Sequence, residues 1–440
     1  HSLGAKAMPV FLNFDDPQFD QHFDEILNSE REANWDVNSV VSDILADVKR
    51  RGDEALIQLT GRFDKVKLTK EELSFSKKEI DELSAKIKST ERKALDLAAS
   101  RIKVFHEKQK PENVIWIDDI GVELGWRWTP LDAVGIYVPG GLASYPSSVL
   151  MNAIPAKVAG VKRVAMVVPT PHGKINPAVL YAAKVSGIDE IYRIGGAQAI
   201  AALAYGTPSI SPVDKITGPG NSYVAAAKRQ VFGKVGIDMI AGPSEVLVIA
   251  DENNDPEWIA LDLLSQAEHD KSAQSILITT SQNLGQLVAT EIEKILKRLE
   301  RRNIAGPSWE NFGVIITVHS LDQAAELSNR VAPEHLELCV SNPKSLIEKI
   351  TNAGSVFMGH WTPEAVGDYI GGSNHVLPTA RSARFSSGLS VMDFLKRTTT
   401  TFVSPDALKI IGPHIETLAS SEGLEAHGLS VSSRLKKLTK

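Results

Sequence analysis

Apolar and polar positions alternate with different periods along the chain. Between about Asp20 and Lys110, apolar residues recur three and four apart among charges, as in V-V-S-D-I-L-A-D-V-K-R-R-G-D-E-A-L-I-Q-L-T and K-K-E-I-D-E-L-S-A-K-I-K. This pattern predicts helices with one buried face. Next, V-E-L-G-W-R-W sets Val122, Leu124, Trp126 and Trp128 against Glu123, Gly125 and Arg127, and with V-I-W-I it predicts an antiparallel hairpin. From Ala133 the pattern changes to short apolar runs that end in glycine and lead into helical stretches: V-G-I-Y-V-P-G-G, V-A-M-V-V-P-T-P, I-Y-R-I-G-G-A-Q and K-I-T-G-P-G-N-S. Strands alternating with helices imply right-handed crossovers and a parallel sheet. After V-L-V-I-A-D the alternation restarts with S-I-L-I-T-T, G-V-I-I-T-V, H-L-E-L-C-V and S-V-F-M-G, so two sheets are expected. The break at Ala241-Gly242-Pro243-Ser244 is the expected internal boundary. Lower strand content after about Arg381 predicts a helical C-terminal extension.

Length and composition narrow this picture. A chain of 440 residues exceeds one ordinary core at roughly 150 residues per domain. With 43% hydrophobic and 23% charged residues, and no apolar run long enough to span a bilayer, it reads as a soluble protein with no membrane partner. A net charge of −6 with interspersed signs offers no basic field for nucleic acid, and the basic tail S-R-L-K-K-L-T-K reads as a solvated helix end. Cys339 is the single cysteine, which excludes an intrachain disulfide and a thiolate zinc cage and fits a reducing cytoplasm. Met8 reads as the native start, and the seven residues before it are expected to play no part in the fold.

Candidate chemistry concentrates at a few stretches. Glycine turns at strand ends are where parallel sheets bind anions, although no G-x-G-x-x-G is present. G-P-G-N-S is the strongest of them, because Asn221 is placed to cap the following helix. L-S-Q-A-E-H-D puts Gln266 and His269 three residues apart at a helix end, on one face. Four further stretches set polar residues among small or apolar ones: A-P-E-H (Glu334, His335), V-G-D-Y-I-G-G-S-N-H (Asp368, His375), P-S-E (Ser244, Glu245) and E-G-L-E-A-H (Glu422, His427). Pro333 disfavours helix just before it, which places Glu334 and His335 at the start of a strand. Gln266, His269, Asp368 and His427 together form a nitrogen and oxygen donor set suited to zinc or a similar divalent ion. Spacing alone leaves that grouping open, since a histidine at a helix end is commonly an ordinary one.

At these residues the chain resembles the L-histidinol dehydrogenases, zinc- and NAD-dependent enzymes of the last two steps of histidine biosynthesis. The resemblance runs through G-I-Y-V-P-G-G, G-P-G-N, I-D-M-I-A-G-P-S-E-V-L-V-I-A-D, L-L-S-Q-A-E-H-D, A-P-E-H-L-E-L, G-D-Y-I-G-G-S-N-H-V-L-P-T and E-G-L-E-A-H, in order. It implies an α/β fold of two Rossmann-like parallel-sheet domains with a helical N-terminal section and a small C-terminal extension swapped in a dimer. The expected division is an N-terminal segment 8–30, a first α/β domain of 31–136 plus 244–380, a second of 137–243, and a C-terminal extension 381–440.

The same resemblance implies Gln266, His269, Asp368 and His427 as ligands of one Zn2+ per subunit, and Glu334 and His335 as the acid/base pair. Substrate contacts would be Ser244, His375 and Glu422, together with Gln266, His269, His335, Asp368 and His427. The NAD contacts would be Tyr137, Gln198 and Asn221. It further implies a cytoplasmic homodimer in which Glu422 and His427 complete the partner's site, oxidising L-histidinol through L-histidinaldehyde to L-histidine with two NAD. In that chemistry His335, neutral near its reference pKa of about 6.5, takes the hydroxyl proton, and Glu334 activates water for the second oxidation. Cys339, inside L-E-L-C-V, reads as a core residue, which favours a water-based second step over a thiohemiacetal. The alternatives are a zinc hydrolase with Glu334 as base and a non-catalytic α/β binding protein.

Overall fold

The computed structural model describes residues 9–31, 37–140 and 145–439, so the expectation about Met8 and its preceding residues lies outside the described residues. The apolar runs form two all-parallel sheets. The six-stranded sheet has the order β1 (Val10–Asn13), β11 (Val314–Thr317), β10 (Gln274–Thr279), β9 (Glu245–Ala250), β12 (His335–Cys339) and β13 (Ser355–Met358). The five-stranded sheet has the order β6 (Glu190–Tyr192), β5 (Arg163–Val167), β4 (Ala133–Tyr137), β7 (Lys215–Thr217) and β8 (Gly236–Ile237). A third, antiparallel sheet joins β14 (Leu395–Phe402), β3 (Glu123–Pro130) and β2 (Val114–Ile117).

Each parallel sheet is covered on both faces. In β9, Leu247 and Ile249 enter one core beside the helices Phe19–Asn28 and Leu321–Val331, while Val246, Val248 and Ala250 enter the opposite core beside Pro256–Ala267 and Gln282–Leu296. The two-residue period of a strand sends neighbours to opposite faces, and with both faces covered the strands read as continuous apolar runs. A fully buried residue such as Ile249 or Leu338 contributes about 1.5–3 kcal/mol by leaving water. The five-stranded sheet is built alike: Val134 and Ile136 pack toward the helices Pro146–Ala159 and Pro177–Val185, and Ala133 and Tyr137 toward Gly196–Tyr205 and Ser222–Val231.

The predicted hairpin is β2–β3, and the chain leaves one parallel sheet for the other across the Ala241–Ser244 break. The expected domain borders differ from the packing. The helices of 37–107 cover the five-stranded sheet, and β4 is its central strand, so 31–136 groups with 137–243 rather than with 244–380. Segment 8–30 supplies an edge strand and a helix to the six-stranded sheet. Only Leu12 of β1 is buried, too little alternation to mark a strand in sequence. The C-terminal extension holds the expected helices, Pro405–Ser421 and Glu425–Leu438, the second with no buried residue. It also contains β14, whose L-K-R-T-T-T-T-F lacks apolar alternation and pairs along its length with β3. No helix among the described residues is long and apolar enough to cross a membrane.

Candidate active site

A cavity of about 1180 Å³ lies between the two parallel sheets. It exceeds the ~300–1,000 Å³ of a pocket for one small ligand and has room for a dinucleotide with a second molecule. The sheets present opposite ends to it. From the five-stranded sheet come the turns after β4, β5, β6, β7 and β8, the carboxyl ends where such sheets bind ligands. From the six-stranded sheet come residues at the amino ends of β9 and β12, Ser244 and the pair Glu334 and His335. At the carboxyl end of that sheet, polar groups close on one another: Asn254 donates to the Cys339 carbonyl (2.8 Å) and the Ser341 amide to Asp251 (2.9 Å).

On the five-stranded side, the Gly196 amide donates to the Tyr137 hydroxyl (2.9 Å), and burial pushes that phenol up to about 12. Gly218 has φ +121°, and a Cβ there would lie 2.1 Å from the Tyr137 carbonyl oxygen, so only glycine lets the β7 turn sit on β4. Asn221 caps the helix Ser222–Val231 by accepting from the Val224 amide (3.1 Å), as its position after G-P-G predicts. Gln198, in the helix Gly196–Tyr205, is buried and also lines the cavity.

On the other side, Gln266 lies in the last turn of the helix Pro256–Ala267, and the His269 amide donates to the Gln266 carbonyl (3.1 Å), a tightened end that sets both residues on the cavity wall. His269 keeps exposed surface because it faces the cavity, yet the surrounding protein desolvates it enough to hold its pKa below the usual value. Asp368 lies on the short helix Glu364–Tyr369. His375 donates from Nδ1 to the Asp368 carbonyl (2.9 Å), leaving Nε2 free, and burial lowers its pKa.

The centre is His335. Its Nδ1 meets the Glu245 carbonyl at 3.0 Å and must carry the proton in that bond, which leaves Nε2, buried and without a hydrogen-bond partner, 3.5 Å from Asp368. Carboxylates of Glu364 (3.5 Å) and Glu334 (3.7 Å) approach Nδ1. Burial opposes a charge on the ring, but Glu334, Glu364 and Asp368 together lift its pKa well above the ordinary value. The expectation of an imidazole near its reference pKa is therefore corrected by these three neighbours. Burial likewise raises Glu334 to about 8 and Glu364 to about 7. Asp368 stays below the usual carboxylate range, because the positive charge of the His335 ring 3.5 Å away, helped by His375 and His269, outweighs its burial.

Glu334 and Glu245 clasp each other. The Glu245 amide donates to the Glu334 carboxylate (2.9 Å), and the Glu334 amide to the Glu245 carboxylate (3.2 Å). Arg31 pairs with Glu245 at 2.7 Å and donates to the carbonyls of Pro243, Ser244 and Ser272, fixing the crossing between the sheets. Beneath the site, Asp262, Glu337 and Cys339 bring potential ligand atoms within 4.8 Å of one another. Burial raises both carboxyls, and Glu337 accepts from the Glu364 amide (2.9 Å), so this group underlies the site. Burial also pushes the Cys339 thiol up, away from the thiolate that a nucleophile or zinc ligand requires.

Of the residues singled out in the sequence, Tyr137, Gln198, Asn221, Ser244, Gln266, His269, Glu334, His335, Asp368 and His375 line this one cavity. Glu422 and His427 do not: both are exposed, at the end of one C-terminal helix and on the next. Sequence reasoning missed Arg31, Asp262, Glu337 and Glu364. An acid in the middle of the apolar run H-L-E-L-C-V was the available signal for Glu337.

A family profile described as Histidinol dehydrogenase matches residues 27–435. The histidinol dehydrogenase of Ruegeria pomeroyi is 64% identical over 431 residues, 98% of this chain and 100% of that protein. That of Cereibacter sphaeroides is 62% identical over 98% and 99%. The crystal structure of histidinol dehydrogenase from Elizabethkingia anophelis matches with a TM-score of 0.94 at 40% identity, covering 99% of this chain and 100% of that one.

Proposed function

The chain belongs to the histidinol dehydrogenase family, and from that premise we propose that it oxidises L-histidinol to L-histidine through L-histidinaldehyde, with zinc in the site and two NAD reduced. The carrying observation is the cavity, which joins the expected NAD contacts at the carboxyl ends of one sheet to Glu334, His335 and the donors Gln266, His269 and Asp368 at the other. An amide, an imidazole and a carboxylate on one wall fit a zinc ion with positions left for substrate. Bound zinc would chiefly hold the amino alcohol and its imidazole in place. Tyr137 at the end of β4, Gln198 in the first turn of the helix after β6 and Asn221 at the cap after β7 suit NAD, which accepts a hydride in each step.

The remaining work falls to the chain's own residues. With Nδ1 committed to the Glu245 carbonyl, Nε2 is the His335 atom that takes the hydroxyl proton. A divalent cation bound by Asp368 would cancel one of the three negative charges that favour the imidazolium, returning the ring toward the neutral form this step needs. For the second oxidation Glu334, raised by burial to about 8, is a base poised near neutrality that takes a proton from water as it adds to the aldehyde. Cys339, buried, held as the protonated thiol and not among the residues that line the cavity, offers no thiolate to form a thiohemiacetal.

The test is histidinol-dependent NADH absorbance. Two equivalents per histidinol consumed, with histidine as product and loss of turnover on chelation, are expected. No NADH would favour the hydrolase reading and sink this one.

We further propose that Glu422 and His427 act in the site of a second copy. His427, the fourth member of the expected donor set, does not line the cavity of its own chain, and the C-terminal helices that carry both residues expose Ile410, Leu418, Leu424 and Leu429, an apolar surface suited to a partner. Mixing His427→Asn chains with His335→Asn chains, each inactive alone, is expected to restore turnover in the hybrid dimers. Hybrids as inactive as their parents would place the whole site in one chain.

A further inference from the structure

We propose that Lys228 and Asp238 form a positioning pair for the dinucleotide half of the cavity, gripping both backbone groups of Gly218 so that the turn leading to Asn221 holds one geometry. The proposal rests on the NAD reading above. Lys228 lies on the helix Ser222–Val231 and reaches back beneath that helix's own first turn, where its ammonium group donates to the Gly218 carbonyl (3.1 Å). Asp238, just past β8 and tied to β7 by the hydrogen bond from its backbone amide to the Ile216 carbonyl (3.1 Å), accepts from the Gly218 amide (2.9 Å). The two side chains also pair directly and are only 3% and 1% exposed. Both the donor and the acceptor of Gly218 are thus held by one buried ion pair.

The location gives the pair its meaning. Gly218 is the first residue beyond β7 and lies against the Tyr137 carbonyl at the point where the strand order reverses between β4 and β7. Three residues later Asn221 opens the helix. A shift of Gly218 therefore moves two of the expected NAD contacts, Tyr137 and Asn221, relative to each other. A buried ion pair adds little net stability over well-packed apolar residues, because desolvating both charges offsets their attraction. What apolar side chains cannot supply is a donor for the Gly218 carbonyl and an acceptor for its amide. With Asp238 beside it, Lys228 is not a free cation for phosphate, so its effect is exerted through the turn.

Steady-state kinetics of the zinc-loaded enzyme test this with Lys228→Met and with the double variant Lys228→Met/Asp238→Leu, which removes both charges. The KM for NAD is expected to rise about tenfold or more in each, as misplaced contacts weaken binding, with kcat at saturating NAD and the KM for histidinol unchanged. The double variant is expected to melt above Lys228→Met, which leaves the Asp238 charge buried without its partner, and still to keep the raised KM. A parental KM for NAD in either variant overturns the proposal. So does a fall of kcat and melting temperature in both variants with both KM values rising together, the mark of a merely structural pair. If the parent enzyme itself shows no histidinol-dependent NAD reduction, the functional reading fails first and this inference with it.

Discussion

Replacing His335 by Asn is expected to slow histidinol oxidation by about 10²–10⁴-fold while leaving bound zinc intact, the range for loss of a positioned general base. Asn keeps a donor that can reach the Glu245 carbonyl, so the strand start should hold, but it offers no basic nitrogen where Nε2 lies buried and unpartnered. The three carboxylates around the ring sharpen the expectation, since they stabilise the imidazolium that forms when the proton arrives and have nothing to stabilise in the variant. The measurement is pre-steady-state NADH formation from histidinol, with zinc content determined on the same sample. A variant that loses zinc in proportion to activity would make His335 a guardian of the metal set through its 3.5 Å contact with Asp368, and the base assignment would fall.

Replacing Glu334 by Gln is expected to divide the two oxidations. Oxidation of histidinaldehyde should drop by about 10²-fold or more, while the first hydride transfer from histidinol changes far less. The Gln side chain keeps an oxygen for the Glu245 amide, so the clasp between the two strands survives and the lost property is basicity. In the parent enzyme the aldehyde step should gain rate as pH rises toward about 8 and level off beyond it, because the buried carboxyl must be deprotonated to accept a proton. The variant should lack that rise. Cys339→Ala is the control and should retain both steps. Equal losses in both steps for Glu334→Gln, or an aldehyde step lost in Cys339→Ala, would overturn the water-based route.

The site was legible in sequence to the extent that its residues sit in short segments whose local structure is predictable. Asn221 follows two glycines and precedes an apolar helix, which is a capping position on local grounds alone. Pro333 placed Glu334 and His335 at a strand start, where β12 begins. Arg31 and Glu364 were silent, because each resembles an ordinary surface charge until chain 214 or 29 residues distant closes over it, at Glu245 and His335 respectively. The expected border at 136 failed for a related reason. The amphipathic helices of 37–107 announce a buried face but not which sheet covers it, and the five-stranded sheet does so.

By itself the sequence determined the elements and their class, since periods of two and 3.6 residues follow from backbone geometry and survive any change of neighbours. It also carried the blocks by which the family is recognised. Tertiary structure alone decided that the carboxyl ends of one sheet face the amino ends of the other, and that His335 sits among three carboxylates. Those properties depend on groups far apart in the chain sharing a space from which water is withdrawn, and desolvation and charge act through distance in space, which no local pattern encodes.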